Sequence, residues 1–378
     1  MDDGREVGQA RRRSGALCVL AVVLLLLATL WPFDPHPPNN VRWLKDAKGI
    51  RFSGTGLVLS SKPLEVVGTE PGDACSLELL LRPANIADVF TIVGFYSPNN
   101  PKHFMVRQWT DGLLVTNDVE HPRNEARIVK FDVDRVFQPG KLVQLTITGG
   151  PSGTVVYVNG RRAKAFSHFT TTGADLSGRI VMGTSPVYYD PWSGEVHGLA
   201  IYAKELSPAE VSQHYANWMN GAGGDAADLD GAVARYSFGE GQGNEIRNAV
   251  AAGPSLVIQK YFNVPYKALL TSAVKEFQPN HFWVDDVLIN IAGFVPLGMI
   301  LYAYLSMTRV RPRAILVATL IGCVLSLTIE ILQAYIPARI SGTTDIITNT
   351  TGTALGAWLA RTSLVRAILA RTIHRRNA

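Results

Sequence analysis

Apolar residues in this chain are gathered into runs rather than spread. Dense runs occupy residues 15–31, 287–307, 314–336 and 346–360, while residues 32–286 have an ordinary water-soluble composition. Crossing a bilayer core of about 30 Å takes roughly 20 apolar residues. The chain therefore reads as a membrane protein that carries a large water-soluble domain between its first and second spans. Its 378 residues leave room for more than one folding unit.

The charge follows the same division. Of 36 Lys and Arg, twelve flank the apolar runs: four in residues 1–14, three in 308–313 and five in 361–378. Residues 32–286 hold 23 basic and 26 acidic side chains, so the net charge of +5 belongs to the membrane flanks. It argues for orientation and against nucleic-acid binding. Arg5 and Arg11 to Arg13 place the N-terminus inside, RVRPR (309–313) places the loop between the second and third spans inside, and the Arg-rich tail 361–378 is expected inside too. That parity requires the fourth run, IITNTTGTALGAWLA, to cross despite its Thr and Gly content. The first run follows RRR with no small-x-small cleavage site, and reads as an uncleaved anchor. Residues 32–286 and the turn 337–345 then lie outside. Cys18, Cys75 and Cys323 show neither a disulfide framework nor metal-ligand spacing, and no cofactor is expected.

Residues 47–219 read as all-β. SLELLLRP, FTIVGFY, KLVQLTITG, GTVVYVNGR and GEVHGLAIY are short β-rich runs separated by Gly, Pro, Asn and Asp, several alternating apolar with polar. The Asn-Gly of YVNGR marks a hairpin. The order GIRFSGTGLVL, SLELLLRP, KLVQLTIT, VVYVNGRRAK, RIVMGTSP and WSGEVHGLAIYAKELSPAEVSQHYA resembles the concanavalin A-like, laminin-G-type jelly roll. That resemblance implies a β-sandwich and, among other possibilities, a glycan or protein ligand. The three Asp of GDAADLDG (224–231) lack an EF-hand pattern and read as a solvated loop. Residues 220–284 read as a β-rich extension followed by a helix. In the helix, Tyr266, Leu269, Leu270, Ala273, Val274 and Phe277 form one apolar stripe behind Pro265, either at the membrane surface or packed under the sandwich.

The last three runs keep polar residues where oily ones cost less. Asp286 and Asn290 are four apart, Glu330 and Gln333 three, Asp345 and Asn349 four, so each pair shares a helix face. By helical rise Asn290 lies about 5 Å inside the second span, Glu330 roughly 24 Å along the third and Asn349 about 5 Å inside the fourth. All three are expected in the outer leaflet. Pro296 frees the carbonyl of Ala292, and Gly352 with Gly356 forms a G-x-x-x-G helix contact. Arg339, in the outer turn, is expected to pair with Glu330 or Asp345.

DDVLINIAGFVPLG (285–298), SLTIEILQ (326–333) and R-x5-DII-x-N-x2-G-x3-G (339–356) resemble the VanZ family. The resemblance implies a four-helix membrane unit with the sandwich inserted in its first external loop. It also implies a bacterial cytoplasmic (inner) membrane, in which the charge parity above sets a multi-pass chain with both termini cytoplasmic and the sandwich extracytoplasmic. The family is associated with envelope integrity and teicoplanin resistance. The large sandwich departs from the short founding members and favours an envelope or surface-polysaccharide role.

The expectation is an outward polar pocket of Asp286, Asn290, Pro296, Glu330, Gln333, Arg339, Asp345, Asn349 and Gly352 that recognises a lipid-linked or cell-wall headgroup, beneath a glycan- or partner-binding sandwich. Mutual satisfaction of these groups as bundle glue is the plainer alternative, but ionisable groups inside a membrane default to function. An enzyme using Glu330 and Asp345 as acid and base is a further alternative, although no nucleophile motif, metal set or phosphate loop accompanies them. A membrane-anchored adhesin or scaffold is another.

Overall fold

Alternation of core-facing and outward residues draws the middle of the chain into two facing sheets. The protein is described from a computed structural model covering residues 2–67, 73–101, 103–119, 127–220, 229–277 and 281–362. It divides into one unit of Met1–Pro35 with Ala268–Ala378 and another of His36–Lys267, so the second interrupts the first in sequence.

In the His36–Lys267 unit the first sheet runs, in order, β1 (Val41–Trp43), β2 (Ile50–Phe52), β13 (Gly194–Tyr202), β4 (Cys75–Pro83), β9 (Val143–Gly150), β10 (Gly153–Val158) and β11 (Arg161–Phe166), with β14 (Ala232–Tyr236) also on β13. The second runs β15 (Glu245–Ile246), β16 (Leu256–Ile258), β3 (Val58–Ser60), β12 (Arg179–Met182), β5 (Val89–Tyr96), β6 (Phe104–Trp109), β7 (Gly112–Val119) and β8 (Arg127–Val133). Ile50, Phe52, Leu79, Leu81, Ile147 and Val196 from one sheet meet Val93, Phe95, Phe104, Val106, Leu113 and Ile180 from the other in one buried cluster. Burial of this kind contributes about 25 cal/mol per Å2 of apolar area. The Asn159-Gly160 turn takes positive φ at both residues (52° and 74°) and joins β10 to β11, as the hairpin signal requires.

The strands reach beyond the expected 47–219. β1 precedes that range, and residues from the expected extension supply β14 to the first sheet and β15–β16 to the second. The outer face of the first sheet is also drier than simple alternation implies. Helix α2 (Pro208–Met219) starts on a capping box, with Ser207 accepting from the Glu210 amide and Glu210 from the Ser207 amide. It lays Val211, His214 and Trp218 over Leu80, Tyr157, Ala200 and Tyr202. Beneath it the fully buried Glu78 accepts from Tyr202, His214 and Trp218.

The other unit holds helices α1 (Asp2–Leu30), α4 (His281–Leu305), α5 (Ala314–Ala334) and α6 (Thr343–Arg361). α6 packs on α4 and α5, and α1 packs on the same two. Among the described residues, three helical stretches are long and apolar enough to cross a membrane: Gly8–Leu30, His281–Leu305 and Arg311–Ala334. Outward faces carry Leu20, Leu24, Leu288, Ile289, Leu320, Val324 and Trp358, while Gly298, Gly322, Gly352 and Gly356 face neighbouring helices. Large residues outward and small ones at the contacts is the pattern of helices packed in lipid.

The helix expected over 265–277 is not formed. Only α3 (Ala273–Glu276), a single turn, is helical there. Leu270 takes a positive φ of 52°, and Thr271 bridges Gly342, its amide on the Ser341 carbonyl and its carbonyl accepting from the Thr343 amide. Pairing with the α5–α6 turn replaces helical bonding, and Leu269, Val274 and Phe277 stay exposed. Most of the 224–231 loop and the tail beyond Thr362 lie outside the described residues.

Candidate functional site

The site grows from the start of α6. A helix N-terminus leaves amides unsatisfied and carries a partial positive charge. Here two carboxylates from other elements serve it. Glu330 of α5 accepts the Gly342 amide at 2.8 Å. Glu276 of α3 accepts the Thr344 amide at 3.0 Å and the Thr344 hydroxyl. Glycine at 342 leaves space for that second carboxylate, because a Cβ there would fall 1.7 Å from Glu276 Oε1 and displace it.

Asp345, in the first turn of α6, reaches both neighbouring helices. Asn290 Nδ2 of α4 donates to Asp345 Oδ1 at 2.8 Å, and the Glu330 carboxyl lies close enough to Asp345 for the two to interact electrostatically. Asp286, one turn before Asn290, is exposed and acts electrostatically on Asp345, with Glu276 as a second acidic neighbour. Glu276, Asp286, Glu330 and Asp345 thus gather four carboxyls, and Arg339, the cation nearest to Glu330 and Asp345 in sequence, is directed elsewhere.

The expected residues divide into three groups. Asn290, Glu330 and Asp345 meet. Asn349 sits one turn further along α6, donating to Ser326 Oγ at 3.0 Å while its buried Oδ1 has no partner. Gln333 and Arg339 turn away to α1. Gln333 Nε2 donates to the Thr29 carbonyl at 2.8 Å, and Arg339 donates to the Trp31 carbonyl at 2.8 Å and the Ala28 carbonyl at 3.5 Å. The expected pairing of Arg339 with Glu330 or Asp345 is therefore absent: the unpaired carbonyls ending α1 take the guanidinium.

Pro296 lies within α4, which continues through it. Gly352 is packing. A Cβ there would fall 2.2 Å from the Ile291 carbonyl oxygen, and one at Gly298 2.1 Å from that of Thr353, so α4 and α6 cross at backbone contact.

Glu276 and Ser326 are not singled out by spacing. Glu276 lies in the 265–277 segment but off its apolar stripe, and that stripe points to a helix that does not form. Ser326 stands four before Glu330 and is detectable as its helical neighbour.

Comparison with known proteins follows these divisions. The family model described as VanZ/LLP1 matches residues 235–366, taking in the last sandwich strands and α3 to α6. The model of the concanavalin A-like lectin/glucanases superfamily matches residues 59–212. No curated protein sequence matches. Among solved structures, a candidate carbohydrate-binding protein from Bacteroides ovatus is similar at 13% identity and a TM-score of 0.36, over 55% of this chain and 61% of that one. The receptor-binding domain of botulinum neurotoxin C/D mosaic serotype is similar at 14% and 0.35, over 48% and 45%. A SAP-like pentraxin from Limulus polyphemus is similar at 14% and 0.33, over 46% and 79%. The chain thus spans less than two thirds of the first two of these structures.

Proposed function

We propose, from a chain that carries a VanZ-like helical segment with an inserted concanavalin A-like domain, that it is a bacterial envelope membrane protein whose outward acidic site holds the headgroup of an envelope lipid or lipid-linked precursor. The observation that carries this reading is the meeting of Asn290, Glu330 and Asp345 from three helices. Basic flanks support a cytoplasmic N-terminus and a cytoplasmic 308–313 loop, which puts this cluster in the outer leaflet and the sandwich outside. α6 is then the fourth crossing, its Thr and Gly content tolerated because its inner face packs on α4 and α5.

With Arg339 engaged by α1, the cluster does not draw on that guanidinium to hold a phosphate. It is rich in acceptors, and suits hydroxyl and amine donors of a headgroup. The sandwich is the extracytoplasmic binding module of the same protein, and its concanavalin A-like fold favours a glycan.

The test is lipid identified by mass spectrometry in the full chain purified in mild detergent. A lipid bearing a hydroxyl- or amine-rich headgroup is expected with the wild type and lost in Asp345→Asn and Asp286→Asn. An identical lipid complement in all three proteins would overturn the reading. The nearness of the Glu330 and Asp345 carboxyls favours a second reading, proton transfer on a lipid-linked substrate. Product formed by the wild type and lost in Glu330→Gln would establish it.

A further inference from the structure

Across the outer face of the first sheet, four neighbouring strands set charged residues in one row. Arg42 on β1 is the cross-strand partner of Arg51 on β2, Arg51 of Glu195 on β13, and Glu195 of Arg82 on β4. Glu195 is held from both sides. Arg51 gives Nε at 3.1 Å and an Nη at 2.6 Å to Oε1, and Arg82 gives an Nη at 2.8 Å to Oε2. Burial would raise the Glu195 carboxyl, but Arg51 and Arg82 hold it below its usual range, so it stays an anion.

One carboxylate therefore answers two guanidinium groups, and Arg51, Arg82 and Glu195 together keep one surplus positive charge. Free donors remain as well. The Arg51 and Arg82 side chains are 58% and 39% exposed, and Arg82 Nε is buried without a partner. These groups line a cleft of about 570 Å3 with Asn85, Ser53 and Ser193, within the range of about 300–1,000 Å3 usual for ligand sites. Its one aromatic lining residue, Phe52, is 1% exposed. The cleft thus offers no ring on which a neutral sugar can stack, whereas forked guanidinium donors match carboxylate and phosphate oxygens.

We propose that this cleft is an anion-recognition site of the sandwich and takes a polysaccharide bearing carboxylate or phosphate groups. The proposal rests on the reading of the sandwich as a glycan-binding module and specifies where and how it binds. The surplus charge also makes binding salt-dependent.

The full chain in nanodiscs of neutral lipid is titrated with polygalacturonate, phosphomannan and neutral dextran. Binding of at least one anionic glycan is expected, with the stronger of the two identifying the anion. Arg51→Gln combined with Arg82→Gln should weaken it at least tenfold without altering the unfolding temperature. Glu195→Gln, which frees both guanidinium groups, should tighten it several-fold. Equal binding of dextran, or anionic binding that survives the arginine changes, would overturn the site while leaving a glycan-binding sandwich standing. Weakening by Glu195→Gln to the level of the arginine changes would also overturn it. No binding of any glycan would remove both readings of the sandwich, and the lipid test on the helical unit would still stand separately.

Discussion

Single residues decide how tightly the helices of the membrane unit approach. A methyl group at Gly352 would collide with the Ile291 carbonyl, which is backbone and cannot swing aside. Gly352→Ala is therefore expected to lower stability by about 1–3 kcal/mol, read as earlier thermal unfolding of the purified full chain. A methyl group at Gly293, on α4 itself, would meet nothing within 4 Å. Gly293→Ala should be neutral or gain up to about 1 kcal/mol from helix propensity, which makes it the control. The same contrast shows what was legible at this scale. The paired spacings of Asp286 with Asn290 and Asp345 with Asn349 point to shared faces, and Asn290 donates to Asp345. The destination of Arg339 was not legible. Its nearest opposite charges in sequence are acidic, but the carbonyls ending α1, about 300 residues earlier, compete for it and win. No local pattern reports a competitor that distant. Arg339→Ala should loosen the end of α1, increasing chymotrypsin cleavage after Phe33 while leaving the Asn290–Asp345 contact in place.

At the scale of elements, local chemistry predicted well where it was self-contained. The Asn159-Gly160 hairpin is closed by its own backbone preferences. α2 also carries its own start signal, Ser207 with Glu210, and its own apolar face, and it corrects the all-β reading of 47–219, which did not include a helix there. Burial would raise the Glu210 carboxyl, yet hydrogen bonds from Ser207 and Lys204 pull it down to about 2. A carboxyl lowered on folding stabilises the native state above its usual value of 4.5, and that contribution is lost as pH falls toward about 2. Glu210→Gln should therefore remove part of the acid-unfolding slope between those two values, followed by circular dichroism. Ser207→Ala should cost about 1 kcal/mol at neutral pH. The 265–277 segment shows the opposite case. Its apolar stripe is as regular as that of α2, but it has no cap of its own, and Thr271 finds backbone partners in the α5–α6 turn. Periodicity reports which face would be buried, and here the strand-like pairing at Thr271 forms in its place.

For the molecule as a whole, the apolar runs and the β-rich middle announced two units, but not where one stops. The sandwich boundary is set by pairing between residues far apart in sequence, which composition does not display. The Phe262 amide donates to the Pro37 carbonyl at 2.9 Å, Pro38 bridges Tyr261, and the Asn39 side chain donates to the Leu57 and Gln259 carbonyls at 2.7 Å each. The two ends of the His36–Lys267 unit are thus tied together, the arrangement that lets one domain interrupt another without pulling it apart. Its core cluster is drawn from its own strands. Residues 36–267 expressed alone should accordingly fold in water and unfold in one cooperative step. A shorter piece, 47–219, lacks β1, β14, β15 and β16, and so exposes core positions that Tyr236 and Ile246 cover on the two sheets. It should be markedly less stable or insoluble. Equal stability of the two pieces, measured by urea unfolding, would show that the outer strands are ornament and that the narrower boundary is the true domain.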